Sequence, residues 1–209
     1  MAAIQQWMNA GLPVTKRSSS PIMVQYADAG SLRTSIPTVS AVLENHASAL
    51  GHDFIAYRNH VYRVVNLCLA ITGRGDRVDL EKIAVAAVFH DLGIWTNHTF
   101  DYIAPSAALA REHLSACAQA DWIPEIEAMI VDHHKITPWR PNRASLVEPF
   151  RRADWIDVSR GFRTFGVPRS FIASVFTVWP SAGFHWRLVE LTGDWFLKHP
   201  LTPLPMVRL

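Results

Sequence analysis

From about residue 38 onward, apolar positions return at three- and four-residue steps. No stretch alternates with period two over six or more residues. Along Tyr57, His60, Val64, Leu67, Cys68 and Ile71 this spacing draws one stripe of a long helix. Asp53 is placed to cap its start, and Gly73 to stop it near Thr72. Residues 40–50, closed by Gly51, predict an earlier helix. Asp79 predicts the cap of another, through Ile83, Ala87 and His90, with Gly93 as its stop. Pro105 and Pro124 suit the first turns of two more, one running to about Ala118 and one through Ile126, Met129, Ile130 and His133. Helices over 146–160 (followed by Gly161), from Pro168 to about Val178, and over 184–198 before Pro200 complete the pattern. The punctuation predicts an all-α, single-domain helical bundle of seven or eight helices over 38–209, with no clear linker. Residues 1–37 carry Gly11, Pro13, Pro21, Gly30 and Pro37 and read as an irregular N-terminal segment. Within it, 22–26 could be a short extended piece, and the whole could serve as a lid, the arm of a homodimer, or simple packing.

Composition narrows the class. The chain has 209 residues, 49% hydrophobic and 18% charged, which excludes a disordered protein. A domain of this length buries about 70% of its unfolded-chain surface and folds without disulfides. Twenty Lys plus Arg against 18 Asp plus Glu leave a net charge of +2, too small for nucleic-acid binding by bulk charge. A small-molecule partner, including an anionic one, is compatible with it. No apolar run reaches the roughly 18–20 residues of a membrane span. The first residues lack the pattern of a secretory signal, so a cytoplasmic protein is expected. Cys68 and Cys117 are then expected reduced, and no paired-cysteine zinc pattern occurs.

Ten histidines and eight tryptophans stand out. His60 lies on the apolar stripe of the long helix. His90-Asp91 and His133-His134 fall near the ends of two others, and Asp154 sits within Ala153-Asp154-Trp155-Ile156. A polar group on a core-facing stripe must find partners there or cost several kcal/mol. Four helices contribute such groups, and convergence on a metal ion would satisfy them together. Imidazole and carboxylate suit zinc, iron or manganese. Trp95 and Trp139 are candidate pocket walls, Trp155 points away, and Arg140, Arg143, Arg151 and Arg152 read as a surface patch before a phosphate-facing rim.

The order His60, His90-Asp91 in Val-Phe-His-Asp-Leu-Gly, then Asp154, resembles the HD-domain superfamily of metal-dependent hydrolases. The resemblance covers about 50–160. It is nearest to small bacterial HD-domain phosphohydrolases and more distantly to cyanamide hydratases. It implies an all-α bundle in which His60, His90, Asp91 and Asp154 hold a divalent ion (Zn, Fe, Mn or Mg), with His133 or His134 as a further ligand. It implies that Asp91 also orients an attacking water, with His133 first, then Asp101 or Lys135, moving a proton or neutralising charge. His113 is a poor candidate, since Arg111-Glu112-His113 reads as a solvated face. Relatives with two ions place a histidine where Pro105 or Ser106 stands here, which favours one ion per chain. Leu92-Gly93-Ile94-Trp95 lacks the acidic residue that nucleotidase members carry there, which disfavours a nucleotide. The implied activity is hydrolysis of a small phosphoester. Hydration of a nitrile-like substrate, or a two-iron oxygenase on the same scaffold, is the alternative.

Overall fold

The computed structural model describes residues 32–142, 144–201 and 205–206. Most of the N-terminal segment, including the extended piece expected at 22–26, lies outside the described residues, as does Arg143. Residues 32–36 have no regular structure. The helices that follow are α1 (Pro37–Asn45), α2 (Ala47–Leu50), α3 (Phe54–Thr72), α4 (Arg77–Phe89), α5 (Gly93–Thr96), α6 (Ile103–Ala116), α7 (Ile123–Asp132), α8 (Val147–Val158), α9 (Arg169–Val178) and α10 (Phe184–Lys198). Eight of them have nine residues or more, and the described residues contain no strand. The expected all-α class is what the chain adopts.

α3 is the axis of the bundle. Its buried residues include Tyr57, His60, Val61, Val64, Leu67 and Cys68, so the stripe seen in the sequence is the face turned to the core. α4, α8, α9, α10 and α1 pack around it. Gly73 ends it with φ 61°, a left-handed conformation that costs glycine nothing, and its N–H returns to the Leu69 carbonyl at 3.0 Å. Cys68 is buried, Cys117 is exposed, and both are free. No helix among the described residues is long and apolar enough to cross a membrane.

Four boundary expectations are corrected. The helix expected over 40–50 is two, broken at His46, whose backbone leaves helical values (φ −110°, ψ 12°) and whose ring packs edge-on against Phe89. Asp53 does not cap α3, because its carboxylate turns inward and accepts from Trp95 Nε1 (2.9 Å) and Arg187 Nε (3.1 Å). The cap of α4 is Asp76 rather than Asp79: its Oδ1 accepts from the N–H groups of Val78 and Asp79, both at 2.9 Å. Gly93 does not stop α4, which already ends at Phe89. It opens α5 at a point where α6 approaches closely. A Cβ there would lie 2.7 Å from the Tyr102 carbonyl oxygen and 2.9 Å from Ser106 Oγ. Only glycine fits, and the Gly93 N–H donates to Ser106 Oγ at 3.0 Å.

Candidate metal centre

Four parts of the bundle deliver polar side chains to one interior point: His60 from α3, His90 and Asp91 from the turn after α4, His133 and His134 from the end of α7, and Asp154 from α8. The His90-Asp91 pair stands where the α-helix gives way to tighter bonding, with Leu92 N–H to Phe89 and Ile94 N–H to Asp91. Adjacent residues can therefore both face inward. His60, His90 and His133 side chains are fully buried, Asp91 and Asp154 nearly so, and His134 is the most exposed of the six at 18%. Solvent reaches the cluster from the His134 side.

The imidazoles are fixed in orientation by bonds behind them. His90 Nδ1 donates to the Ala87 carbonyl (2.8 Å) and His133 Nδ1 to the Ile130 carbonyl (2.6 Å). His60 Nδ1 donates to Asp157 Oδ2 (2.6 Å). With Nδ1 carrying the proton, each ring turns a bare Nε2 lone pair toward the cluster, the arrangement a metal-ligating histidine needs. His60 Nε2 and His90 Nε2 lie 2.9 Å apart. Asp91 Oδ2 lies 3.6 and 3.3 Å from them, and Asp154 Oδ1 3.8 and 3.7 Å. The other oxygens face outward from this group: Asp91 Oδ1 is 3.4 Å from His133 Nε2, and Asp154 Oδ2 is 3.7 Å from His134 Nδ1.

The imidazole–carboxylate distances are longer than ordinary hydrogen bonds. Asp91 Oδ1, both Asp154 oxygens and His133 Nε2 are buried without a hydrogen bond among the described residues. Each such atom costs about 1–3 kcal/mol, and more where it is charged. Two facing lone pairs and two buried carboxylates form a site that calls for a cation. The electrostatics agree. Burial pulls the His90 imidazole down, but the carboxylates of Asp91 and Asp154 outweigh it and raise it to about 10, so the site attracts positive charge, and a bound metal ion would take the place of a proton on Nε2. Burial alone would raise Asp91; the charge of His90 and the nearby imidazoles of His133 and His60 hold it well below the usual carboxylate range. Ligand atoms at about 2.1 Å from one ion and at right angles to each other are about 3 Å apart, close to the His60–His90 separation. Nitrogen and carboxylate donors together suit a divalent cation.

The HD domain family matches residues 57–158, from the inner face of α3 to the last residue of α8. This segment is an HD domain. No curated protein and no solved structure matches the chain.

The geometry of the HD domain sorts the residues singled out in the sequence. His60, His90, Asp91, Asp154, His133 and His134 come together. Asp101 does not. It is exposed, and the chain turns its neighbour inward instead: Tyr102, buried, bonds through its hydroxyl to His134 Nε2 at 2.7 Å. Lys135 follows His134, and its backbone carbonyl accepts from Arg151 Nη1 (2.9 Å) and Trp155 Nε1 (3.3 Å). His113 packs against Phe89, outside the cluster. Arg151 and Arg152 are paired with Glu148, and Arg151 is buried rather than part of the surface patch expected from the sequence. Trp95 is a core residue on Tyr57 that also lines a cleft of about 240 Å³ against α10. Trp139 N–H donates to Glu148. Three residues were not singled out by the sequence: Asp157, Tyr102 as a hydrogen-bonding group, and Arg63, fully buried and paired with Asp157 through Nε and through Nη2 at 3.0 Å. The available signal was spacing, since Arg63 stands three residues after His60 and Asp157 three after Asp154, each on the same helical face.

Proposed function

We propose that this HD domain is a metal-dependent hydrolase acting on a small phosphoester, with one divalent ion held by His60, His90, Asp91 and Asp154. The observation that carries the reading is the set of buried, partnerless acceptor atoms on Asp91, Asp154 and His133, beside two imidazoles whose Nε2 atoms are only 2.9 Å apart. A bound divalent ion supplies Lewis acidity for a phosphoryl oxygen and lowers the pKa of water toward about 7. The chain does the rest. Asp91 has one oxygen toward His60 and His90 and the other toward His133, so it can orient an attacking water as well as bind. His133, its Nδ1 committed to the Ile130 carbonyl, presents Nε2 as the proton acceptor. Tyr102 fixes the ring of His134 at the solvent side, where a substrate enters. The apolar shell around the group, including Phe150 and Phe184, keeps bulk water out and strengthens each charge interaction within.

A two-ion reading has its own support. Each aspartate offers one oxygen to the His60–His90 side and the other to the His133–His134 side. Elemental analysis of wild type and Asp154→Ala tests both readings. One equivalent in wild type that is lost in the variant supports the proposal. Two equivalents of iron with oxygen uptake support the oxygenase alternative, and no stoichiometric metal under replete conditions defeats both. A screen of phosphomonoesters against small nitriles then tests the substrate class, which the fold alone leaves open.

A further inference from the structure

His60 is held differently from its neighbours. The Nδ1 atoms of His90 and His133 rest on carbonyls of their own helices, three residues back. His60 Nδ1 rests on a carboxylate, Asp157, brought from α8. That carboxylate is itself fixed from behind. Arg63 grips both its oxygens, and Arg63 Nη1 donates to the carbonyls of Trp179 and Pro180, both at 3.1 Å. Asn59 Nδ2 donates to the Pro180 carbonyl at 2.8 Å, and His185 Nε2 donates to the Asp157 carbonyl at 2.8 Å. Ser181 Oγ, 2.7 Å from His185 Nδ1, sets that tautomer. Phe184 lies flat on the His60 ring, with centroids 4.0 Å apart and planes 14° apart. Residues 179–185 lie beyond the stretch that matches the HD domain family.

We propose that Asp157 is a positioning residue for His60, and that the turn over 179–185 locks it in place through Arg63. Metal affinity then depends on a segment outside the HD domain. The inference rests on the metal-site reading above. The Arg63 guanidinium bonds both oxygens of Asp157, so the carboxylate behind His60 is paired with a fixed positive charge. An ionised carboxylate behind Nδ1 fixes the tautomer and makes Nε2 a stronger donor to a cation than a carbonyl would.

The experiment is cobalt(II) titration of the full chain, wild type against Asp157→Asn, followed by visible absorption and by competition with a chelator. Asp157→Asn is expected to bind cobalt about 10- to 100-fold more weakly, with far-UV circular dichroism unchanged. A purely structural Asp157 would lower the melting temperature of the metal-free chain and leave the cobalt affinity alone, which overturns the inference. A wild type that binds no cobalt overturns the metal-site reading and this inference with it. Because Asn could unsettle Arg63, nitrogen-15 spectra of the zinc-loaded wild type give a reading without substitution. His60 carrying its proton on Nδ1 is the expected state, and a proton on Nε2 overturns the proposal.

Discussion

His60 and His90 confront each other nitrogen to nitrogen at 2.9 Å, with each Nδ1 bonded from behind so that both Nε2 atoms face the cluster. Two lone pairs at that distance repel, and a proton on one of them or a metal ion beside both relieves the contact. Binding of a cation to the folded chain alone stabilises it. At a free ion concentration about 100 times Kd the gain is about 2.7 kcal/mol, or about 5–10 °C in Tm for a chain of this size. Chelation is expected to lower the melting temperature of wild type by that amount and to leave Asp154→Ala unmoved. Differential scanning fluorimetry with and without chelator checks this.

Tyr102→Phe keeps the buried ring and removes the hydroxyl bonded to His134 Nε2. Desolvation and the neighbouring His133 push the half-buried His134 imidazole down to about 3, so it is neutral and needs that partner to hold its orientation. The expected stability loss is about 1 kcal/mol, within the usual range for one hydrogen bond. Phosphoesterase kcat/KM is expected to fall further than stability does. Equal kcat/KM in wild type and variant would remove Tyr102 from the site.

Gly93→Ala should destabilise the fold. Its Cβ would meet backbone, the Tyr102 carbonyl oxygen at 2.7 Å, and backbone cannot swing aside as a side chain can. Overpacking of this kind costs about 1–3 kcal/mol. Urea unfolding is expected to show a lower midpoint, and because the strain pushes Tyr102 off its line to His134, activity should fall with it.

Glu125 ties α7 to the start of α8. Its Oε1 accepts from Ser145 Oγ (2.8 Å) and the Leu146 N–H (2.9 Å), and its Oε2 from Lys82 Nζ (3.0 Å). Burial would raise its carboxyl, but the Leu146 N–H, Lys82 and Ser145 outweigh it and hold it below the ordinary value of 4.5. With the folded value below the unfolded one, the unfolded chain binds more protons across that window. The contribution is therefore complete above about pH 5 and lost as pH falls through the folded value. Glu125→Gln should lower stability at pH 7 and flatten the decline between pH 5 and 3, read from urea midpoints across that range.

Much of the centre was legible because polar residues on core-facing stripes have few places to go. His60 on the stripe of α3 and Asp154 beside Ala153 and Ile156 stand out for that reason, and His90-Asp91 marks the end of a helix. The supports were harder to read. Arg63 and Asp157 look like solvated residues of their own helices until α3 and α8 are placed side by side, and their burial depends on each other. The choice between Asp101 and Tyr102 turned on the rotation of one residue at the entrance to α6, which the periodicity of the sequence does not set. Asp76 and Asp79 are both plausible caps by residue type; the α4 hydrogen bonds, with Leu80 N–H returning to the Asp76 carbonyl, decide between them.

The four proposed ligands come from places far apart in the chain, with His60 thirty residues before His90 and Asp154 a further 63 beyond Asp91. An ion held by all of them closes these stretches into loops, as a crosslink would. The entropy of closing a loop rises only slowly with its length, so a single ion restricts nearly a hundred residues for little more than it costs to restrict thirty. Loading should therefore sharpen the unfolding of α3 through α8 into one event. Segments of the metal-free chain that exchange their amide hydrogens separately would then exchange together.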